Sequence, residues 1–443
     1  MQRLSLCNEM TNGQACAQVF DYLLFMHIST RPTCRAIIGL HLKGKPMNIA
    51  ATLSPAMDED TLEQLIDVVR KFVNERLIPL EAQVAEEDRI PAEIVQEMRE
   101  MGLFGLTIPQ QYGGIGLNTY EECRVVMELG RTSPAFRSIF GTNNGIGSQG
   151  LVMDGTEEQK AYFLPKFASG EIIGSFALTE PDAGSDAGSL ATKAVRDGDD
   201  FVLNGTKRYI TNAPSAQLFT VFARTDQDAP GARGVSAFLV DADTPGITLG
   251  APNAKMGQKG AHVCDVIFED CRVSADRLLG GPEKLNMGFQ TAMKTLDRGR
   301  IHISALSVGC AERLIDLCLG YGKERKQFGQ PIAEFQLLQG MIADCKAESY
   351  AAKCMVLDTA TRRDAGEAVN TLASCCKLFA TEMVGRVADK AVQFHGGAGY
   401  MEEYAVARFY KDVRLFRIYE GTSQIQQTII ARNLLRDYDG SLH

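Results

Sequence analysis

The sequence predicts an α+β chain built as a helical domain, a β-sandwich or barrel domain and a C-terminal helical bundle. Three observations predict it. Leu62, Leu65, Ile66, Val69, Phe72 and Val73 recur at spacings of three and four, the apolar face of a helix. Between residues 171 and 283 the pattern changes to short apolar runs separated by turn residues, among them Phe201-Val202-Leu203, Phe219-Thr220-Val221-Phe222 and Ala237-Phe238-Leu239-Val240. Beyond Met287 long helical periodicity returns and lasts to Leu435. Helices, then strands, then helices imply segregated blocks rather than an alternating βαβ sheet. A chain of 443 residues is also too long for one compact core.

The expected boundaries match those changes: 1–56 as a leader or misassigned extension, 57–170 helical, 171–284 β, and 285–443 helical. Residues 1–56 carry only two acids, Glu9 and Asp21, and no sustained periodicity. Few acids beside several Arg and Lys fit a mitochondrial transit peptide. The absence of an Arg-rich amphipathic pattern favours a misassigned upstream start, with Met47 and Met57 each preceding better-patterned sequence. The expected compartment is therefore the bacterial cytoplasm, or the mitochondrial matrix if the segment is a transit peptide. Asp60 with Glu63 resembles a capping box for the first helix. Pro79 and Ile90-Pro91 punctuate the region after that helix, and Gln110 to Gly114 reads as a loop. Helical sequence returns by Tyr120 and is expected to continue to about Phe167. In the β region, Asp197-Gly198 signals a hairpin. In the last region the helices are expected to break at Gly329-Gln330-Pro331 and at Gly396 to Gly399.

Composition narrows the function. Hydrophobic content of 45% and charged content of 23% suit a soluble globular protein. A net charge of -9 argues against nucleic-acid binding. No apolar run reaches the roughly 18 residues of a membrane span. The twelve cysteines form no CxxC, and none of the six histidines stands at zinc-ligand spacing from one, so reduced thiols and no metal site are expected.

The segment from Arg417 to Gln424 places one carboxylate, Glu420, between apolar Ile418-Tyr419 and Gly421. Burial would raise its pKa toward the range of a base working near neutral pH. Gly421 would let a substrate approach the backbone, and Thr422 and Ser423 can cap the next helix. Taken alone, the segment is more often a plain capped helix start. Gly145-Ile146-Gly147-Ser148-Gln149-Gly150 matches GxGxxG, yet no strand precedes it, so close helix packing explains its glycines better than a dinucleotide fold. Thr179 to Asp186 follows the apolar strand Ile172 to Leu178, and small residues in such a turn can accept a ring edge or phosphate oxygens. Lys207 to Asn212 offers an aromatic plane beside hydroxyl and amide groups.

Read in order, these segments resemble the acyl-CoA dehydrogenase family. The resemblance also rests on Gly155 to Lys160 with Leu164-Pro165, on Arg325-Lys326-Gln327-Phe328-Gly329-Gln330-Pro331-Ile332 with Gln336, and on Gln393 to Tyr400. It covers residues 57 to 438 and ends in the Glu420 segment. It implies α,β-dehydrogenation of an acyl-CoA thioester around a non-covalent FAD, in a homotetramer whose neighbouring subunits share each flavin site. It further implies that Glu420 takes the α-proton while the β-hydride passes to the flavin, which electron-transferring flavoprotein reoxidises. Carried over residue by residue, Phe176, Ala177, Leu178, Thr179, Gly184, Ser185, Tyr209, Ile210 and Thr211 line the flavin. Ser185 and the stretch from Asp297 through Arg298 to Arg300 meet the CoA, and Gly421 lies at the thioester. Arg325, Phe328, Gln336, Gln393, Gly396 and Gly397 reach a neighbour's FAD, and Thr422, Ser423 and Gln424 touch the flavin. Tyr209 stands where many relatives have Trp. In a minority branch the base lies on the long helix, at the position held here by Gly299. An oxygen-using oxidase and a non-catalytic CoA-binding protein are the competing readings.

Ser133-Pro134-Ala135-Phe136-Arg137-Ser138 resembles the glutaryl-CoA dehydrogenase stretch in which a Tyr-Arg-Ser meets the substrate's distal carboxylate. A surface arginine is the plain reading of Arg137. If it points into the acyl pocket, its buried charge calls for an acidic tail on the substrate.

Overall fold

The computed structural model describes residues 56–438, so the reading of 1–56 as a leader falls almost wholly outside them. The first helix, α1 (Glu59–Phe72), is capped by Asp58, whose carboxylate accepts from the Thr61 amide at 2.9 Å. The cap expected at Asp60 thus lies two residues too late. The sequence offered several acids in a row, and the one free of helical dihedrals, Asp58, takes the role. Leu62, Ile66, Val69 and Phe72 are buried as the periodicity required.

Two short helices come next, α2 (Glu81–Glu87) and α3 (Ala92–Glu100). The helical stretch expected from Tyr120 to Phe167 is instead four helices: α4 (Thr119–Leu129), α5 (Pro134–Asn144), α6 (Gln149–Asp154) and α7 (Glu157–Ser169). Local chemistry cuts it. Ser133 caps α5 with Pro134 at the first helical position, where a missing N–H costs nothing. Gly145 ends α5 with ψ of -114°, and Thr156 with Gln159 forms a capping box for α7. The glycines of the GxGxxG match do serve packing: a Cβ on Gly147 would lie 2.8 Å from the Thr142 carbonyl oxygen.

The central block is one seven-stranded sheet. Its strands are β1 (Gly174–Ala177), β2 (Lys193–Asp197), β3 (Asp200–Thr211), β4 (Leu218–Arg224), β5 (Val235–Asp241), β6 (Ile247–Leu249) and β7 (Val263–Ser274). β1 runs parallel to β4, which pairs antiparallel with β5, and β3 joins β2 to β7. The hairpin forms where expected, although Asp197 pairs with Asp200, so the turn residues are Gly198 and Asp199. Phe219, Phe238 and Phe268 fill the core of this block.

The last block packs α8 (Gly288–Glu324), α9 (Gln336–Asp364) and α10 (Asn370–His395) around Leu306, Leu314, Val356 and Met383. Two shorter helices close it, α11 (Ala405–Asp412) and α12 (Ser423–Asp437). The expected breaks are present: a small hairpin of β8 (Lys326–Gln327) and β9 (Gln330–Pro331), and a tight turn over Gly396–Tyr400. Among the described residues no helix is long and apolar enough to cross a membrane.

Candidate active site

Glu420 and Gly421 both adopt positive φ, 57° and 85°. A left-handed conformation costs a non-glycine residue about 1–2 kcal/mol, so something must hold Glu420 there. Three groups do. Lys377 Nζ on α10 donates to the Gly421 carbonyl at 2.7 Å. Gln426 Nε2 donates to the carbonyls of Glu420 and Gly421 at 3.1 and 3.0 Å. Thr422 then caps α12 by accepting from the Ile425 amide. Gly421 is required twice over, because a Cβ there would also meet Gln426 Nε2 at 2.6 Å.

The Glu420 side chain lies in a cleft between α5, the N-terminal half of α8 and the Tyr419-Glu420 turn. Thr211, Gly145, Gly299 and Arg137 are among the residues lining it. Gly299 faces the carboxylate so closely that a Cβ there would stand 2.6 Å from Oε2. That Oε2 is buried and accepts no hydrogen bond among the described residues. Burial pushes the Glu420 carboxyl above the ordinary 4.5, against the opposing charges of Arg137, Arg300 and Lys377. The Glu420 backbone N–H makes no hydrogen bond among the described residues, which leaves it free as a donor.

Arg137 is half-buried and lines this cleft rather than the outer surface. Its Nε donates to His302 Nε2 at 2.7 Å, and His302 Nδ1 lies 2.7 Å from Glu122 Oε1. Arg298 donates to Glu122 Oε2 from Nε and Nη2 at 3.0 and 2.8 Å. Burial would raise the Glu122 carboxyl, but Arg298 and His302 outweigh it and hold it well below the usual range. Burial, then the Arg137 charge, push His302 down to about 4, so the ring is neutral near pH 7.

The remaining sequence candidates fall into separate places. Phe176 and Ala177 end β1, with Leu178 and Thr179 just after. The turn beyond is pinned by a buried pair: Lys207 Nζ donates to Glu180 Oε1 at 2.7 Å, and Glu180 also accepts from the Ala191 and Thr192 amides. Gly184 and Ser185 are left exposed on it. A bulge in β3 between Lys207 and Ile210 puts Tyr209 at φ 57° and leaves that residue 61% exposed, while Ile210 is buried. Asp297 Oδ1 accepts from Arg300 at 2.5 Å, and Arg300 is buried outside the cleft lining. Ser423 is buried and donates to Glu382, whereas Gln424 is exposed. Arg325, Phe328, Gln336, Gln393, Gly396 and Gly397 are exposed, and none of them lines the cleft.

This layout coincides with matches to three family models. They are described as the acyl-CoA dehydrogenase N-terminal domain over residues 59–171, the middle domain over 175–271 and the C-terminal domain over 286–435. The chain belongs to the acyl-CoA dehydrogenase family. It is therefore an oxidoreductase acting on CH–CH donors. A probable acyl-CoA dehydrogenase of Bacillus subtilis is 43% identical over 84% of this chain and 97% of its own length. A chain in the structure of the electron transferring flavoprotein of Acidaminococcus fermentans superposes with a TM-score of 0.82 at 36% identity, covering 87% of this chain and 100% of that one. A chain of the glutaryl-coenzyme A dehydrogenase glutaryl-CoA complex does so at 0.80 and 32% identity, covering 88% and 98%.

Sequence reasoning missed Lys377, His302 and Glu122, and took Arg298 only as part of the CoA-contacting stretch. Two signals were available. Lys377 sits with Ala373, Ala380 and Val384 on the buried stripe of α10, and a lysine on such a stripe needs a partner. Arg298 and His302 stand four apart, on one face of α8. In this acyl-CoA dehydrogenase, burial pulls Lys377 down to about 8, with Glu420 opposing. Lys377→Met is expected to lower kcat about tenfold, since losing one charged hydrogen bond to the Gly421 carbonyl is worth roughly 1.5 kcal/mol. Thermal stability should change little, because the variant also removes a buried charge. Unchanged kcat with a lowered melting temperature would assign Lys377 to packing alone.

Proposed function

We propose that this protein oxidises an acyl-CoA thioester to the trans-2-enoyl-CoA with Glu420 as the base and FAD as cofactor. The observation that carries the reading is the buried Oε2 of Glu420, unpartnered among the described residues, at the wall of a cleft. Such an oxygen has lost its hydration and has no competing donor, so it is poised to accept a proton from carbon. An α-proton beside a thioester is too weakly acidic for a free carboxylate, and the developing charge on the thioester oxygen needs an aimed donor. The unused Glu420 backbone N–H suits that task. Gly299 keeps the approach to Oε2 open, and the Lys377 and Gln426 hydrogen bonds fix the turn that aims it.

The residues present fit a flavin. The β3 bulge offers an exposed aromatic face at Tyr209, Thr211 lines the cleft, and Gly184 has no neighbour within 4 Å of where a Cβ would stand. FAD bound there would supply the acceptor for the β-hydride. Electron-transferring flavoprotein is the acceptor proposed to take the electrons onward. Anaerobic addition of an acyl-CoA to the purified yellow protein is expected to bleach its flavin. A panel that leaves the colour untouched would sink this function.

The exposed Arg325 cluster supports a shared site. Phe328 is 95% and Leu337 86% exposed, large apolar side chains within twelve residues of the Arg325 cation, a combination that suits a second copy carrying a pyrophosphate. In the proposed homotetramer, Arg325→Ala weakens FAD retention roughly tenfold, measured by flavin released on dilution. A monomer that keeps FAD tightly would contradict it.

Arg137 favours one finer reading, a substrate with a terminal acid. Its guanidinium makes no salt bridge with a carboxylate among the described residues, and its sole hydrogen bond is to a neutral ring. A cation in such a cleft is matched by an anionic acyl tail and not by an alkyl one. Oxidative decarboxylation of the glutaryl-CoA type is one outcome such a tail allows.

A further inference from the structure

We propose that His302 and Glu122 are positioning residues that aim Arg137 at the acyl tail and so set the preference for a terminal acid. This inference rests on the acid-tail reading above. Hydrogen-bond logic fixes the arrangement. Arginine Nε can only donate, so His302 Nε2 must present its lone pair to Arg137. The ring proton therefore sits on Nδ1 and is donated to Glu122 Oε1. Glu122 can only accept there, because Arg298 occupies its other oxygen with two donors. The four side chains form a directed chain, Arg298 to Glu122 to His302 to Arg137, whose only uncompensated charge stands at the cleft.

A second feature shows that the placement is built. Long side chains on a helix fold back toward its N-terminus. Arg137 runs the other way, over Gly141 on the next turn of α5. A Cβ at Gly141 would lie 2.7 Å from both Nε and Cζ of Arg137, so glycine clears the path. With Nε spent on His302, the two terminal amino groups remain, and neither makes a hydrogen bond among the described residues. They have the spacing to grip both oxygens of a carboxylate. Glu420 does not take them, since among the described residues no ion pair joins it to Arg137 and its Oε2 has no partner.

The test is steady-state kinetics of the FAD-loaded enzyme with glutaryl-CoA against valeryl-CoA, and with succinyl- and adipyl-CoA against their uncharged equals in length. Wild type should prefer the acids, and Arg137→Ala should abolish that preference. His302→Leu should raise KM for the preferred acid at least roughly tenfold, with a much smaller change in kcat. His302→Gln keeps an acceptor for Arg137 Nε and should retain most of the preference, a rescue that a purely structural role would not give. Gly141→Ala should erode the preference without touching the imidazole. If wild type prefers acids and Arg137→Ala removes this while His302→Leu retains it, the positioning role is wrong and the acid-tail reading stands. If wild type prefers uncharged tails and Arg137→Ala changes nothing, both fall. Should no acyl-CoA be turned over, the proposed function itself fails.

Discussion

Glu420→Gln is expected to lower turnover by about 10⁴-fold, the upper range for loss of a general base, while FAD and acyl-CoA still bind. The amide is nearly the shape of the carboxylate but cannot take a proton. The variant should therefore still show the flavin spectral change of substrate binding without bleaching. Near-normal turnover would remove the assignment. The pH profile gives a second check. The proposed base works only when deprotonated, and burial raises the Glu420 pKa, so kcat/KM of the wild type should fall with decreasing pH at values above 4.5. Stability carries the same sign. A carboxyl whose folded pKa exceeds its unfolded one contributes stability below the unfolded value and loses it as pH rises through the folded value. Above its folded pKa the ionised, buried Glu420 is therefore a burden, and Glu420→Gln should melt higher than wild type there. The gain should shrink as the pH approaches 4.5. A gain independent of pH would mean that burial of this carboxylate is not its source.

The fold was legible because it is written in periodicity. The α1 stripe, the short apolar runs of β3, β4 and β5, and the return to helix after Met287 each stem from which face must be buried. Helix breaks at Ser133-Pro134 and Gly145 were misread because apolar spacing continues across them, while capping and dihedral chemistry decide where the backbone turns. Glu420 was legible through its neighbours, although its left-handed backbone was not. That conformation is imposed by Lys377 and Gln426, and Lys377 lies 43 residues earlier on another helix. Tyr209 is exposed only because β3 slips register against β7, which no single strand's sequence discloses. The chain from Arg298 to Arg137 joins α8, α4 and α5 across up to 180 residues, as in the Glu122–His302 contact. Pairings at that separation exist only once the helices have packed.

Gly299→Ala is expected to cost about 10²-fold in kcat with the fold intact. The added methyl would stand 2.6 Å from Glu420 Oε2 and 3.0 Å from its carboxyl carbon, well inside contact distance. Glu420 cannot retreat along its backbone, because Lys377, Gln426 and the Thr422 cap hold that turn. The carboxylate must rotate, and a displacement of about 1 Å at a reacting group costs on the order of a hundredfold. Stability should respond differently. Gly299 is interior to the 37-residue helix α8, where glycine is about 1 kcal/mol worse than alanine. That gain offsets the crowding, so the melting temperature should stay close to that of wild type. The contrast separates a steric effect on the base from general damage: kcat falls, flavin content and melting temperature hold, and KM moves little. Full activity in Gly299→Ala would mean that the carboxylate has room to move, and that its position beside Gly299 is not the one from which it takes the proton.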